Sequence, residues 1–534
     1  MQKILKPGYE KAFYITLFIV TVIFLKINSN FTFIGRGDYA NYATVARNLV
    51  AGKGFTVDFI AQYFIPYESV HHPEDMWPIL QPVWMAASFL IFGISQFSAR
   101  LPNVIFLALL SLASYLIAKK LFNKKVAFWA GILTLLNTNL ILYSTELITS
   151  DVAFALLSLI IFYLGSLLII ELKNGGASYK KFFILGLLSG LTILQKPLAI
   201  IYLPLYFIIF AIVARKKIRL IFKPVVFSLI GVSILTAPFF IRNLRLFGTF
   251  LLPVENYLSY LIKYTPYEAI FSIYYNNLPS FKTVFDGGFI NFLKINFTYF
   301  RFGIDTFVYK DLLIPYTVIV LSLLGIGILK TKEQKSLFFP PIIFFLIFSA
   351  VMTFYWHYES RYYASFIPLA NMLAVYALFS FLEKFSNPAR IIIVVILALI
   401  TFLPSIKAIY LGLQPKPIDP SLKAYEWIRD NTPKEAVIYG LGPWELHYHS
   451  EREALMIPYN GLGDILYMAK KYQVSYLVLE FLKEIKRPAL EDLYTGKETE
   501  IFSLAYQDPG KVLIYKINWE KVNLEGYPKP EWFK

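Results

Sequence analysis

Apolar positions in this chain come in long runs rather than in amphipathic stripes. The runs cover 11–28, 101–118, 126–143, 150–170, 181–195, 197–213, 220–240, 312–329, 337–356, 363–382 and 390–410. Each approaches the roughly 17–25 residues that carry a helix across a bilayer core. A twelfth run, 78–93, is shorter and opens on prolines. Basic residues cluster in every second gap: Lys3, Lys6 and Lys11; Lys119–Lys125; Lys173, Lys180 and Lys181; Arg215–Lys223; Lys330, Lys332 and Lys335; Lys384 and Arg390. All of them fall on one side only if 78–93 does not cross. The positive-inside rule then predicts eleven crossings with the N-terminus cytoplasmic and 78–93 as an outer juxtamembrane helix. The run from Ala12 to Ile27 is long for a signal peptide and no A-x-A site follows, so it reads as an uncleaved anchor. Segments 29–100, 144–149, 195–197, 241–311, 357–362 and everything after 410 are then extracytoplasmic.

The pattern changes after 410. SLKAYEWIRDNTP has helical spacing and stops at Pro433, while AVIYGLG, YLVLE and KVLIYKI are β-branched or aromatic runs bounded by Gly, Pro or charge. The expected architecture is an all-α polytopic membrane domain, 1–410, of about eleven transmembrane helices plus juxtamembrane helices in the first outer loop. A small soluble α/β domain, 411–534, follows it.

Composition agrees. The chain is 57% hydrophobic and 16% charged, against about 45–50% and 25% for soluble domains. The tail from 411 holds 16 Lys+Arg and 18 Asp+Glu, so the net +16 of the 534 residues resides in the membrane part. Such a balance points to topology and anionic lipid, not to nucleic acid. There are no cysteines, which removes thiolate chemistry and disulfides.

All five histidines, and several ionisable residues next to apolar runs, fall on the outer side. Asp38 lies in GRGDYANYATVARNLVAGKGF, 35–55, where Gly35 and Gly37 permit a sharp turn and close approach of a ligand. It is either a helix cap or a reactive carboxylate. Glu146 and Asp151 sit five residues apart in YSTELITSDVAFALL. They could cap helices, or bind hydroxyls or a metal. Lys196–Pro197 interrupts two apolar runs, and a lysine at an outer turn either snorkels or meets an anion such as phosphate. His357, Glu359 and Arg361 crowd one short aromatic turn, as a structural ion pair or as part of a site. His71, His72, Glu74 and Asp75 could ligate a metal, but lack His-x-x-His spacing. His447 and His449, two apart, would share one face of a strand, where they could hold a metal but are rather expected as surface histidines.

In this order, these stretches resemble the glycosyltransferase C superfamily, in the branch of protein O-mannosyltransferases and aminoarabinose lipid A transferases. Residues 37–55 match its first-loop acidic motif, with Asp38 at the acid. PILQPVWMAASFLIFGISQFSARLP matches the juxtamembrane helix and the start of the next span. Glu146–Asp151, Lys196–Pro197 and Arg361–Tyr362–Tyr363 recur at comparable places, and the likeness runs over most of 10–410. Two positions depart from it: Tyr39 stands where some members carry a second acid, and Trp77 where some carry a lysine.

The resemblance implies a membrane enzyme that moves a sugar from a polyprenyl phosphate to a hydroxyl of a lipid, glycan or protein. Asp38 would be the base. Lys196, Arg361 and His357 would bind the phosphate, with Glu146 and Asp151 as supporting acids. Arg36, Arg242 and Arg301 are further candidates for the phosphate. The resemblance makes no cofactor certain and leaves a divalent metal possible. The expected location is a prokaryotic inner membrane, with the site and tail outside. The chemistry is consistent: a lipid phosphate waits at the membrane rim, needs cations to leave, and an acceptor hydroxyl gains from a base. Direct displacement inverts the anomeric centre. The competing class is a transporter or flippase for lipid-linked glycans, which should place ionisable groups near the midplane, often in two related halves; no repeated half is seen.

Overall fold

The computed structural model describes residues 8–215, 219–305, 313–354, 359–481 and 485–533. Helices form over every expected apolar run: α1 (Tyr9–Asn28), α4 (Gln96–Leu121), α5 (Lys124–Leu135), α6 (Thr138–Thr145), α7 (Asp151–Lys173), α8 (Tyr179–Gln195), α9 (Tyr202–Val213), α10 (Arg219–Phe247), α13 (Tyr316–Gly327), α14 (Lys332–Phe354), α15 (Ile367–Leu382) and α16 (Asn387–Leu413). Among the described residues, six are long and apolar enough to cross a membrane by length and composition. They become seven if α5 and α6, bent by 51° at their break, make one span. Eleven crossings are therefore more than helix length alone supports.

The break has a local cause. Asn137 turns its carboxamide oxygen onto the Leu140 amide (3.1 Å) and starts a new helix where α5 would have continued. Helices α8 and α10 meet where both carry glycine. A Cβ on Gly186 would stand 2.0 Å from the Ser228 carbonyl oxygen, and one on Gly231 would stand 2.5 Å from that of Phe183. Small residues let backbones approach where hydrophobicity does not distinguish helix from lipid.

The first loop carries α2 (Asp38–Val50), β1 (Thr56–Ile60), β2 (His71–Pro73) and α3 (Leu80–Phe92). Helix α3 is the expected juxtamembrane helix, 13 residues long. Loop 248–315 carries α11 (Pro253–Leu261) and α12 (Phe289–Asp305). On α12, Phe289, Ile290, Leu293 and Phe297 point outward while Asn296 is buried, the inverse of a soluble helix.

The tail contributes α17 (Pro420–Asn431), β3 (Val437–Gly440), α18 (Pro443–Ser450), β4 (Glu453–Met456), α19 (Leu462–Lys471), β5 (Val474–Glu480), β6 (Phe502–Asp508) and β7 (Val512–Ile517). It does not keep its sheet to itself. The seven-stranded order is β2-β1-β4-β3-β5-β7-β6. Strand β1 runs parallel to β4, pairing Phe59 with Ala454 and Ile60 with Leu455. A shared apolar core joins Val45, Val57 and Phe59 of the first loop to Ile428, Ile438 and Leu446 of the tail. The first loop is thus held between the helical bundle and the tail.

Candidate active site

Asp38 opens α2. Gly37 precedes it at φ 56° and Gly35 has φ 108°, the left-handed region in which a side chain is strained. A Cβ on Gly35 would also lie 2.5 Å from the Tyr39 ring. These two glycines turn the chain so that Asp38 is first in the helix without capping it. Its Oδ2 accepts from Nη1 of Arg361 at 2.8 Å. Arg361 stands in the turn before α15 and also donates from Nε to Glu359. Both Asp38 and Arg361 remain partly open to a cavity.

Lys196 ends α8. Pro197 cannot continue that helix and starts a tight turn of its own. The buried ammonium pairs with Asp151 Oδ1 at the start of α7, and the other carboxylate oxygen of Asp151 is buried with no hydrogen bond from any described residue. Lys196 Nζ lies 3.9 Å over the Tyr362 ring, and the Arg361 guanidinium lies 5.5 Å from the same ring. One aromatic residue therefore brings the two cations together.

Two chambers meet at this cluster. The smaller, of about 70 Å³, is lined by Asp38, Tyr42, Ser150, Lys196, Glu255, Arg361 and Tyr362, with Trp77 and Pro78 at its edge. The larger, of about 740 Å³, shares Asp38, Met76, Trp77, Arg361 and Tyr362 with it and continues past Arg36, Tyr267 and Glu268. The tail walls it with Leu441, Trp444, Glu445 and Arg487. Arg36, two residues before Asp38, ties the loop to the tail: Nη2 donates to both oxygens of Asp419 (2.9 and 3.2 Å). Its Nη1 lies 3.6 Å from Glu445 and 3.6 Å from Glu480.

Asp38, Lys196, Arg361 and Asp151 thus converge. Glu146 does not reach either chamber; its carboxylate takes Lys416 at 3.0 Å. His357 lies outside the described residues. Arg242 donates to the carbonyls of Phe55 (3.1 Å) and Glu74 (3.0 Å), bracing the first loop. Arg301, on α12, lines neither chamber.

The possible metal group of the first loop is otherwise engaged. His71 faces Asp58 at 2.7 Å, Glu74 accepts from the Met76 and Trp77 amides, and Asp75 accepts from Tyr67. Among the described residues no three His, Cys, Asp or Glu side chains are placed to hold a metal ion. Burial, only partly offset by the Tyr67 hydroxyl, pushes Asp75 up to about 6.

The reading of His447 and His449 is corrected. They lie on α18, not on a strand, so two residues apart is opposite faces, and neither is at the surface. His447 is buried beside Arg47 and Asp58. His449 stacks on Phe33 at 4.9 Å and accepts from the Ile34 amide at 3.3 Å. Sequence reasoning also passed over Glu255, Glu268, Glu445 and Arg487. Glu255, in PVENYL, looks like any acid in a helix's first turn, and nothing local connects the tail residues to Asp38.

Residues 76–241, from the edge of the chambers through α10, match the dolichyl-phosphate-mannose-protein mannosyltransferase family. No curated protein sequence matches the chain. Among solved structures, ArnT from Cupriavidus metallidurans bound to undecaprenyl phosphate superposes with a TM-score of 0.59 at 13% identity, covering 96% of this chain and 98% of that one. The fold is that of the GT-C glycosyltransferases. The oligosaccharyltransferase of Archaeoglobus fulgidus, in complex with Zn and sulfate, agrees at 0.58 and 17% identity, over 94% of this chain and 73% of that one. The same organism's AglB with an inhibitory peptide and a dolichol-phosphate agrees at 0.56 and 12%, over 96% and 75%. The resemblance drawn from the sequence is borne out in the GT-C fold and in the family matched.

Proposed function

We propose that the protein is a membrane glycosyltransferase that moves a sugar from a polyprenyl-phosphate donor to an acceptor hydroxyl, inverting the anomeric carbon, with Asp38 as general base. One observation carries this reading: Asp38 and Arg361 are bonded at the wall where a cation-lined chamber meets a larger chamber covered by the tail. Two proteins of this fold hold polyprenyl phosphates, which supports the donor class.

The lipid phosphate binds between Lys196 and Arg361. The sugar reaches toward Asp38, and the acceptor enters through the larger chamber. Arg361 then has an anion other than Asp38 to serve, and the weakened bond leaves Asp38 Oδ2 more basic toward the acceptor hydroxyl. That hydroxyl's oxygen attacks the anomeric carbon, its proton passes to Asp38, and the bond to the phosphate oxygen breaks with its electron pair. Asp38 and Asp151 are each paired with a cation, and among the described residues no three candidate metal ligands converge. A transporter would gather ionisable groups on broken helices at the midplane; here they gather at the ends of α2, α7 and α8. We place the site and tail outside the cytoplasm, on the charge pattern of the loops.

The test is Asp38→Asn, which keeps the shape and an acceptor for Arg361. Purified wild type in nanodiscs consumes a polyprenyl-phosphate sugar when given membrane acceptor, with dolichyl-phosphate mannose as the first donor. The variant should lose about 10²–10⁴-fold in kcat and still bind polyprenyl phosphate. Unchanged transfer by the variant refutes Asp38 as base.

A further inference from the structure

The cations of the small chamber are already spent. Lys196 is paired with Asp151, and Arg361 with both Asp38 and Glu359. Both cations therefore already face carboxylates before any ligand arrives. A phosphodiester donor adds one more charge. When the sugar leaves, the phosphate becomes a monoester whose second ionisation lies near pH 6, and a further charge appears in the same place. Cations alone do not meet that demand.

Glu255, on α11, also lines this chamber. No described residue hydrogen-bonds to its side chain or ion-pairs with it. At about 70 Å³ against about 740 Å³ for its neighbour, this chamber is the narrower of the two, and it alone is lined by Lys196. A phosphate group held between Lys196 and Arg361 would meet Glu255 there.

We propose that Glu255 is a third partner of the lipid phosphate, engaging it as the neutral acid and giving its proton to the phosphate oxygen released when the sugar departs. This rests on the reading that the chamber holds a polyprenyl phosphate. The step balances: the acceptor's proton goes to Asp38, the anomeric C–O electron pair goes to the phosphate oxygen, and the Glu255 proton follows it. The products are protonated Asp38, ionised Glu255 and a monoanionic lipid phosphate, and both carboxyls reset through solvent.

Burial pushes Glu255 up to about 7, against the opposing pull of Lys196. The other ionisable groups around it are Asp38 and Tyr42 of α2, Asp151 of α7, and Arg361 and Tyr362 of the turn before α15. A bound phosphate raises the pKa further, since like charge disfavours ionisation.

The experiment is equilibrium binding of polyprenyl phosphate to full-length protein in nanodiscs at pH 7 and pH 9. The ligand is essentially dianionic at both, so its own titration does not enter. Wild type should lose at least tenfold in affinity between the two. Glu255→Gln cannot ionise and should change less than threefold, while binding at pH 9 at least as tightly as wild type. Glu255→Asp should restore the dependence. A wild-type change below threefold, or an undiminished dependence in Glu255→Gln, overturns the proposal, and the wild-type result decides even if the Gln variant does not fold. Absence of wild-type binding at both pH values would instead refute the polyprenyl-phosphate reading itself.

Discussion

Lys196 and Asp151 show at the residue scale how a proposed phosphate-binding group and a stability liability become the same object. The pair is buried, with side-chain exposures of 9% and 1%, so removing one partner strands a charge in a medium that does not solvate it. Breaking such a pair costs about 3–5 kcal/mol, whereas replacing both partners can be nearly neutral. Lys196→Met should therefore lower thermal stability in detergent strongly, and the double variant Lys196→Met/Asp151→Asn should recover most of it. Both should still bind polyprenyl phosphate poorly. If the double variant is as unstable as the single, the ion pair does not explain the burial. That Asp38, Lys196 and Arg361 stand out was legible because an ionisable group beside long apolar runs requires a reason, and the fold brings the three together. Glu255 was not, because its significance comes from what α7, α8 and α15 bring around it.

At the scale of elements, α18 fastens the tail to the first loop through two histidines, His447 buried and His449 partly so. His449 accepts the Ile34 amide proton on Nε2 and stacks on Phe33. Burial, reinforced by Arg47, Arg100 and Arg429, holds it down to about 3. His447 is likewise held down to about 3, by burial and then by Arg47. Folded values below the unfolded one mean that the unfolded chain binds more protons in the interval between them. The contribution is then complete above about pH 6.5 and is lost progressively as pH falls from there toward 3. The melting temperature should fall over that range, and His449→Asn should flatten part of the fall. A melting curve that does not move between pH 7 and pH 5 contradicts this role. The sequence offered GPWELHYHS without its surroundings, so spacing alone suggested a strand face. Pro443 at the first helical turn and the left-handed Glu451 at its end make it a helix.

For the whole molecule, the division at residue 410 describes composition better than it describes packing. Apolar run length located every helix of the bundle, because the bilayer sets that length directly. It could not show that TVDFI of the first loop continues the tail's sheet, since a pairing across almost 400 residues leaves no local mark. Removing residues 411–534 should therefore do more than uncover the larger chamber. It takes β4 away from β1, frees Arg36 from Asp419 and exposes the shared core, so Gly35–Asp38 loses one wall of its support. The truncated protein should show increased proteolysis between residues 29 and 79 and no detectable transfer. A truncation that keeps a protease-resistant first loop would mean that the bundle alone orders it.

The central claim is that a lipid-linked phosphate is held between Lys196 and Arg361, within reach of Asp38. A density map of the full-length protein in nanodiscs loaded with a polyprenyl phosphate tests it most directly. The account predicts a phosphate-sized feature in the small chamber, touching Lys196 Nζ and the Arg361 guanidinium, with Glu255 beside it and the prenyl chain leading out to lipid. A phosphate bound elsewhere, with that chamber unchanged, would contradict it.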